Sequence, residues 1–212
     1  MRLRHIPGGR SILEAHPTEI ILDPATHRGR WRSVFGNDRP LHLEIGMGKG
    51  QFVMGMALRN PEVNFIGMER VDSVVVRALQ RLLAEPMRNV RMVAACASKL
   101  ETCFAEGELD RVLLNFSDPW PKKARAKRRL THGGFLDRYR RALAPGGELH
   151  VKTDNRGLFE FTLGHLSQHG WRLEAVNLDL HAAEPEDNVR TEYEEAFAAE
   201  GHPIFRLVAR AV

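Results

Sequence analysis

Residues 113–129, LLNFSDPWPKKARAKRR, set one carboxylate at the junction between an apolar run and a basic one. Asp118 follows the apolar stretch directly, and Pro119 and Pro121 fix φ on either side of Trp120, which stiffens the loop. An acid held in a stiff loop can orient a polar ligand or stabilise positive charge developing on it. The segment KKARAKRR then packs six cations into eight residues with no acid to pair them. Such charges repel one another unless phosphates neutralise them, so nucleic acid is the natural partner. The plain alternatives are a loop-capping Asp118, a core Trp120 and a solvated basic face.

A second group of candidates lies in EIGMGKG, where Glu44 precedes glycines 46, 48 and 50. Glycine there permits a tight turn and close approach of a ligand to the backbone. The spacing is GxGxG rather than the GxGxxG of a dinucleotide site, and Glu44 would repel phosphates. A ligand with positive charge and no phosphate suits the loop, and S-adenosylmethionine, with its sulfonium and ammonium, meets both conditions. Glu69, in GMER, stands where an acid accepts both hydroxyls of a ribose, or is simply solvated beside Arg70. Cys96 occupies the place where a carboxylate would accept from the adenine amine. A thiol is a weak partner, so backbone groups of residues 95–97 could pair with the ring instead, and a small buried apolar residue is the other reading of Cys96.

The elements that would carry these residues alternate. LHLEIG, VNFIGMER, VRMVAA, RVLLNFS and ELHVKTD read as buried strands, separated by helical patterns in QFVMGMALRN (Phe52, Val53, Met56 and Ala57 on one face), VDSVVVRALQRLLAE and GFLDRYRRAL. RGLFEFTLGHLSQHG adds a helix, and WRLEAVNLDL and PIFRLVA add two strands. The expected architecture is an α/β, doubly wound, Rossmann-like sheet, mostly parallel with an antiparallel C-terminal strand. Ligands in such sheets bind beyond the carboxyl ends of the strands, where the candidates fall. Residues 1–40 read as an irregular basic arm with a short strand at TEIIL, and 41–212 as a single domain.

With 43% hydrophobic residues the chain can bury one substantial core, and its net charge of +4 is unevenly placed. Cys96 and Cys103 have no metal-ligand spacing and read as free thiols, so no metal is expected. No apolar run reaches the roughly 18 residues of a membrane span, and MRLRHIPGGR lacks the apolar core of a secretion signal. A cytoplasmic protein without a membrane partner is expected, monomeric or homodimeric.

LEIGMGKGQF, NFSDPWPKKARAKRRL, HVKTDNRGLFE and TEYEEAF, with VFGNDRP, resemble in order and spacing the motifs of the bacterial tRNA (guanine-N7-)-methyltransferase family, over nearly the whole chain. The resemblance implies S-adenosylmethionine as donor and a guanine in the variable loop of tRNA as substrate. Carried over by motif, Glu44, Gly46, Gly48, Glu69, Cys96 and Asp118 would face the donor, and Asp118 would also be the catalytic acid. Lys122, Asp154, Thr191, Glu192, Tyr193 and Glu194 would contact the substrate, and Arg125, Lys127, Arg128 and Arg129 the RNA. Cys96 departs from the acid that similar proteins often carry.

Guanine N7 has a free lone pair, so methylation there needs no strong base. Positioning would dominate, with Asp118 and Asp154 accepting from guanine N1 and N2 hydrogens and Lys122 donating to O6 or a phosphate. TEYEE also has a plain reading, a capped helix with acids in its first turn. Two other functions stay open, a non-catalytic RNA-binding Rossmann-like domain and a nicotinamide-dependent oxidoreductase. The missing third glycine and Glu44 weigh against the latter.

Overall fold

The computed structural model of the protein describes residues 5–212. Eight strands form one sheet: β1 (Ile20–Ile21), β2 (Leu41–Ile45), β3 (Asn64–Glu69), β4 (Val90–Ala94), β5 (Leu109–Asn115), β6 (Leu143–Thr153), β7 (Trp171–Asn177) and β8 (Phe205–Ala211). Their order is β1-β4-β3-β2-β5-β6-β8-β7; all neighbours from β1 to β6 are parallel, and β8 runs antiparallel to both β6 and β7. The expected doubly wound sheet with an antiparallel C-terminal strand is therefore present.

Helices cover both faces. They are α1 (Gly9–Glu14), α2 (Trp31–Phe35), α3 (Gln51–Arg59), α4 (Asp72–Ala84), α5 (Leu100–Cys103), α6 (Gly133–Ala142), α7 (Arg156–Gln168) and α8 (Glu192–Ala199). Side chains alternate along the strands. Phe65 packs in a core with Phe52, Val53, Val75 and Leu79, whereas its neighbour Ile66 joins Leu43, Phe104, Tyr139 and Phe159 on the other face. Burial on both faces explains why these strands read as continuous apolar runs. On α3 the inward residues are Phe52, Val53, Met54 and Ala57. Met56 is only half-buried, so the expected face is rotated slightly.

The segment expected to be an irregular arm carries more structure than its sequence announces. Besides β1 inside TEIIL, it holds α1 and α2, and β1 pairs with β4. Trp31 anchors it, fully buried, stacked on Phe104 and donating through Nε1 to the Cys103 carbonyl at 2.9 Å. Helices of six and five residues are too short to show a periodic pattern and depend on such tertiary contacts. No helix among the described residues is long and apolar enough to cross a membrane.

Register fixes what meets at the carboxyl ends. Glu44 lies beside Leu113 and Leu113 beside His150, while Asn115 lies beside Lys152 in a further row. Between β7 and β8 the chain makes a long excursion, residues 178–204, that includes α8 and returns to the same edge of the sheet.

Candidate functional site

The turn after β2 is left-handed at Gly46 (φ 80°) and Gly48 (φ 57°), conformations that would strain any L side chain. A Cβ at either glycine would meet no atom within 4 Å, so the requirement is conformational and the space beside the loop is open. That space is a cleft of about 460 Å³ lined by Glu44, the glycine loop, Asn115, Phe116 and the segment Thr191, Glu192, Tyr193.

Glu44 sits at its floor, 2% exposed. Its Oε1 accepts from Asn115 Nδ2 at 2.9 Å, and its buried Oε2 has no partner. Burial pushes its carboxyl up to about 7, against the pull of the Asn115 hydrogen bond, the Lys152 charge and the Val53 backbone N–H, while Glu69 adds a smaller push. A buried carboxyl on the wall of a cleft, with one oxygen lacking a hydrogen-bond partner, suits a cationic ligand.

Glu69, at the end of β3, folds back so that Oε1 accepts from the N–H groups of Arg70 (2.7 Å) and Val71 (3.1 Å). Cys96, just past β4, is exposed, and its sulfur accepts from Ser98 Oγ at 3.2 Å. Burial alone would raise this thiol, but Ser98 hydrogen bonds and the charges of Arg70 and Lys99 outweigh it and bring the thiol below its usual range. Neither residue lines the cleft itself.

Beyond β5 the chain enters the acid loop. Phe116 (φ 50°) and Trp120 (φ 39°) both adopt left-handed backbone, rare for bulky side chains and a local strain that surrounding contacts must hold. Those contacts are visible. Phe116 N–H donates to the Lys152 carbonyl at 2.8 Å, and Arg129 donates from Nε to the Pro119 carbonyl (2.9 Å) and from its terminal nitrogen to the Trp120 carbonyl (3.1 Å). Arg129 also lies over the Phe161 ring at 4.2 Å. Asp118, within this loop, is exposed and does not line the cleft. Lys122 is exposed just past the loop, and Asp154, half-buried, follows the end of the neighbouring β6.

The basic residues divide. Arg125, Lys127 and Arg128 are exposed on a 3₁₀ turn, with Arg125 and Arg128 over the Trp120 ring at 5.7 and 5.1 Å. Arg129, counted with them in the sequence, is half-buried and engaged in the loop.

The C-terminal candidates divide as well. Thr191 caps α8 by accepting from Glu194 N–H at 2.9 Å in a reciprocal capping box, although it also lines the cleft. Glu194 is fully buried and accepts from Lys152 Nζ (2.5 Å) and Asn188 Nδ2 (2.8 Å), with His181 Nε2 at 3.1 Å. The plain reading of TEYEE thus describes Thr191 and Glu194. Glu192 and Tyr193 face the cleft, Glu192 paired with Lys49 at 2.7 Å and Arg81 at 2.9 Å.

His181, Glu184 and Glu194 are the one trio among the described residues whose ligand atoms converge as a metal would require. Glu184 is already held by Arg190 and Glu194 by Lys152.

The same stretch of chain is matched from outside. A methyltransferase family model (Methyltransf_4) covers residues 38–207, which include every candidate above. The chain is 52% identical over 209 residues to the tRNA (guanine-N(7)-)-methyltransferase of Streptococcus sanguinis, covering 99% of both chains. The chain belongs to the tRNA (guanine-N(7)-)-methyltransferase family. A second member, from Lysinibacillus sphaericus, is 51% identical over 213 residues, covering 100% of this chain and 99% of that one. A solved SAM-dependent methyltransferase from Aquifex aeolicus shares the fold, with TM-score 0.58, 14% identity and coverage of 99% and 100%.

Sequence reasoning missed three residues of this family member's cleft and its supports. Asn115 gives Glu44 a side-chain hydrogen bond, Phe116 lines the wall, and Lys152 ties β6 to the 178–204 excursion. A lysine inside the apolar strand ELHVKTD was the available signal for the last.

Proposed function

We propose that the cleft beside the glycine loop holds S-adenosylmethionine and that the protein methylates N7 of a guanine in the variable loop of tRNA. Family membership supports the donor and the tRNA guanine, and the position within tRNA extends that reading. The observation that carries the site is Glu44, which lines one cleft with the open glycine backbone, has a buried oxygen without a hydrogen-bond partner, and suits a positive ligand without phosphate.

When bound, the donor supplies a methyl group on a sulfonium: the N7 lone pair forms the new C–N bond, the S–C electron pair returns to sulfur, and positive charge moves to the purine. Glu44 faces the cationic end of the donor and Glu69 its ribose, where turning to the diol exchanges its two backbone N–H contacts for two hydroxyl ones. Cys96 flanks the adenine. Asp118 and Asp154, on adjacent strand ends, accept from the guanine edge and offset the charge that grows on it. Arg129 positions Asp118 by pinning the carbonyls of Pro119 and Trp120. Thr191 and Glu194 serve the substrate indirectly, by holding α8 so that Glu192 and Tyr193 face the cleft. Lys122, Arg125, Lys127 and Arg128 meet phosphates of the tRNA, and a tRNA substrate fits work in the cytoplasm.

Incubation with methyl-labelled donor and unmodified tRNA, followed by mapping of the label, tests the reading. Label at guanine N7 in the variable loop is expected. Donor and tRNA binding without any transfer would replace it with a non-catalytic RNA-binding role.

A further inference from the structure

Tyr193 is the one exposed aromatic side chain among the described residues, 62% accessible, and it stands on the cleft wall together with Phe116. Core packing does not account for an aromatic left in water at a ligand site, nor for a phenylalanine held in left-handed backbone beside it. The Phe116 and Tyr193 rings lie 6.4 Å apart with planes 22° from parallel. Phe197 completes the group, 6.2 Å and 18° from Phe116 and 6.5 Å and 21° from Tyr193. Three near-parallel rings at nearly equal separations cannot all stack face on face, so they tile a surface, with Tyr193 its most open member.

The reaction converts a neutral purine into a flat, delocalised cation, and the π faces of aromatic rings attract such a cation most strongly when water is excluded. The acid nearest Tyr193 in sequence on this wall, Glu192, is already occupied by Lys49 and Arg81, so it is poorly placed to neutralise that charge. We propose that Phe116 and Tyr193 form an aromatic platform on which the target guanine stacks, and that their faces stabilise the positive charge accumulating on the base as N7 takes the methyl group. This rests on the methyl-transfer reading above and adds a platform to it. The same platform favours the methylated base over the unmethylated one.

Guanosine 5′-monophosphate and 7-methylguanosine 5′-monophosphate are the probes, titrated calorimetrically into the protein saturated with S-adenosylhomocysteine at pH 6, where the methylated base carries its full charge. The parent protein should bind the methylated nucleotide about tenfold more tightly. Tyr193→Leu should abolish the preference and lower single-turnover methyl transfer to tRNA about tenfold at saturating donor and tRNA. Tyr193→Phe, which keeps the ring, should recover most of both losses. Thermal unfolding of each variant checks that Tyr193→Leu is folded; Tyr193 is exposed, so its unfolding should match the parent's. Equal affinity of the parent for the two nucleotides, or transfer at the parental rate by Tyr193→Leu, overturns the platform alone. Absence of transfer to guanine N7 by the parent overturns both the platform and the reading beneath it.

Discussion

Binding of the methyl donor should expel a proton from Glu44. In the free protein, burial holds this carboxyl near pH 7, so at pH 6 it is about nine-tenths protonated. A cation placed against the unpartnered Oε2 favours the carboxylate and pulls the value back toward the ordinary range. Donor binding should then release about 0.9 proton at pH 6 and about half a proton at pH 7, and donor affinity should rise about fivefold between those pH values. The donor's own amino group, with an ordinary pKa of about 8, stays largely protonated in this window. Lys152, whose charge acts on Glu44, is locked to Glu194 at 2.5 Å. Calorimetry at pH 6 in two buffers of different ionisation enthalpy counts the protons directly, and Glu44→Gln supplies the control. No release by the parent protein, or equal release by Glu44→Gln, refutes the reasoning. The free protein gives a companion readout. Folded Glu44 binds its proton more tightly than the unfolded chain does, whose value is near 4.5, so its stabilising contribution is complete below about pH 4.5 and lost as pH rises through 7. The span is worth about 3 kcal/mol as an upper estimate, and the Gln variant should lack it.

Asp118→Asn should lower single-turnover methyl transfer by about 100- to 1,000-fold with little change in melting temperature, because an exposed carboxylate in a loop already held by Arg129 contributes to the reaction more than to the fold; parental turnover in an early-melting variant would make it a loop cap. Neutralising Arg125, Lys127 and Arg128 together should flatten the log-log salt dependence of tRNA binding by about 0.7 to 0.9 per residue and leave donor affinity unchanged, and an unaltered slope would mean a merely solvated face. Lys152→Met should strand the fully buried Glu194 carboxylate and cost about 3 to 5 kcal/mol in denaturant unfolding. Adding Glu194→Gln should restore part of that stability, and a double variant no more stable than Lys152→Met alone would show that the charge pairing is not the cause.

The sheet was legible because its strands are buried on both faces and bounded by glycine, proline and charge; LHLEI and RVLLN read as strands before any partner is known. Of the first forty residues only the short strand in TEIIL was. Their helices are short, and the burial of Trp31 depends on Cys103 and Phe104, more than seventy positions away. Spacing also located Glu44 and the glycine turn, since strand-end positions follow from counting along a strand. It could not apportion work within a run of like residues. Arg129 looks the same as Arg128 in KKARAKRR, yet only Arg129 reaches back to the carbonyls of the acid loop. Glu192 and Glu194 differ by two positions on a helix, enough to turn one toward the cleft and the other into the interior.

The 178–204 excursion leaves from β7 and comes back to β8, strands that pair with each other along the sheet edge. Its two ends are thus clamped side by side by backbone hydrogen bonds that owe nothing to what lies between them. In engineering terms it is a cassette: provided an acid at position 194 still meets Lys152, the part of the cleft that carries Thr191, Glu192 and Tyr193 can be lengthened, shortened or exchanged at a closure cost that grows only slowly with length, while the strands that carry Glu44 and Asn115 keep their register. Exchange of the cassette between relatives would therefore change one wall of the cleft and leave the Glu44 wall as it is.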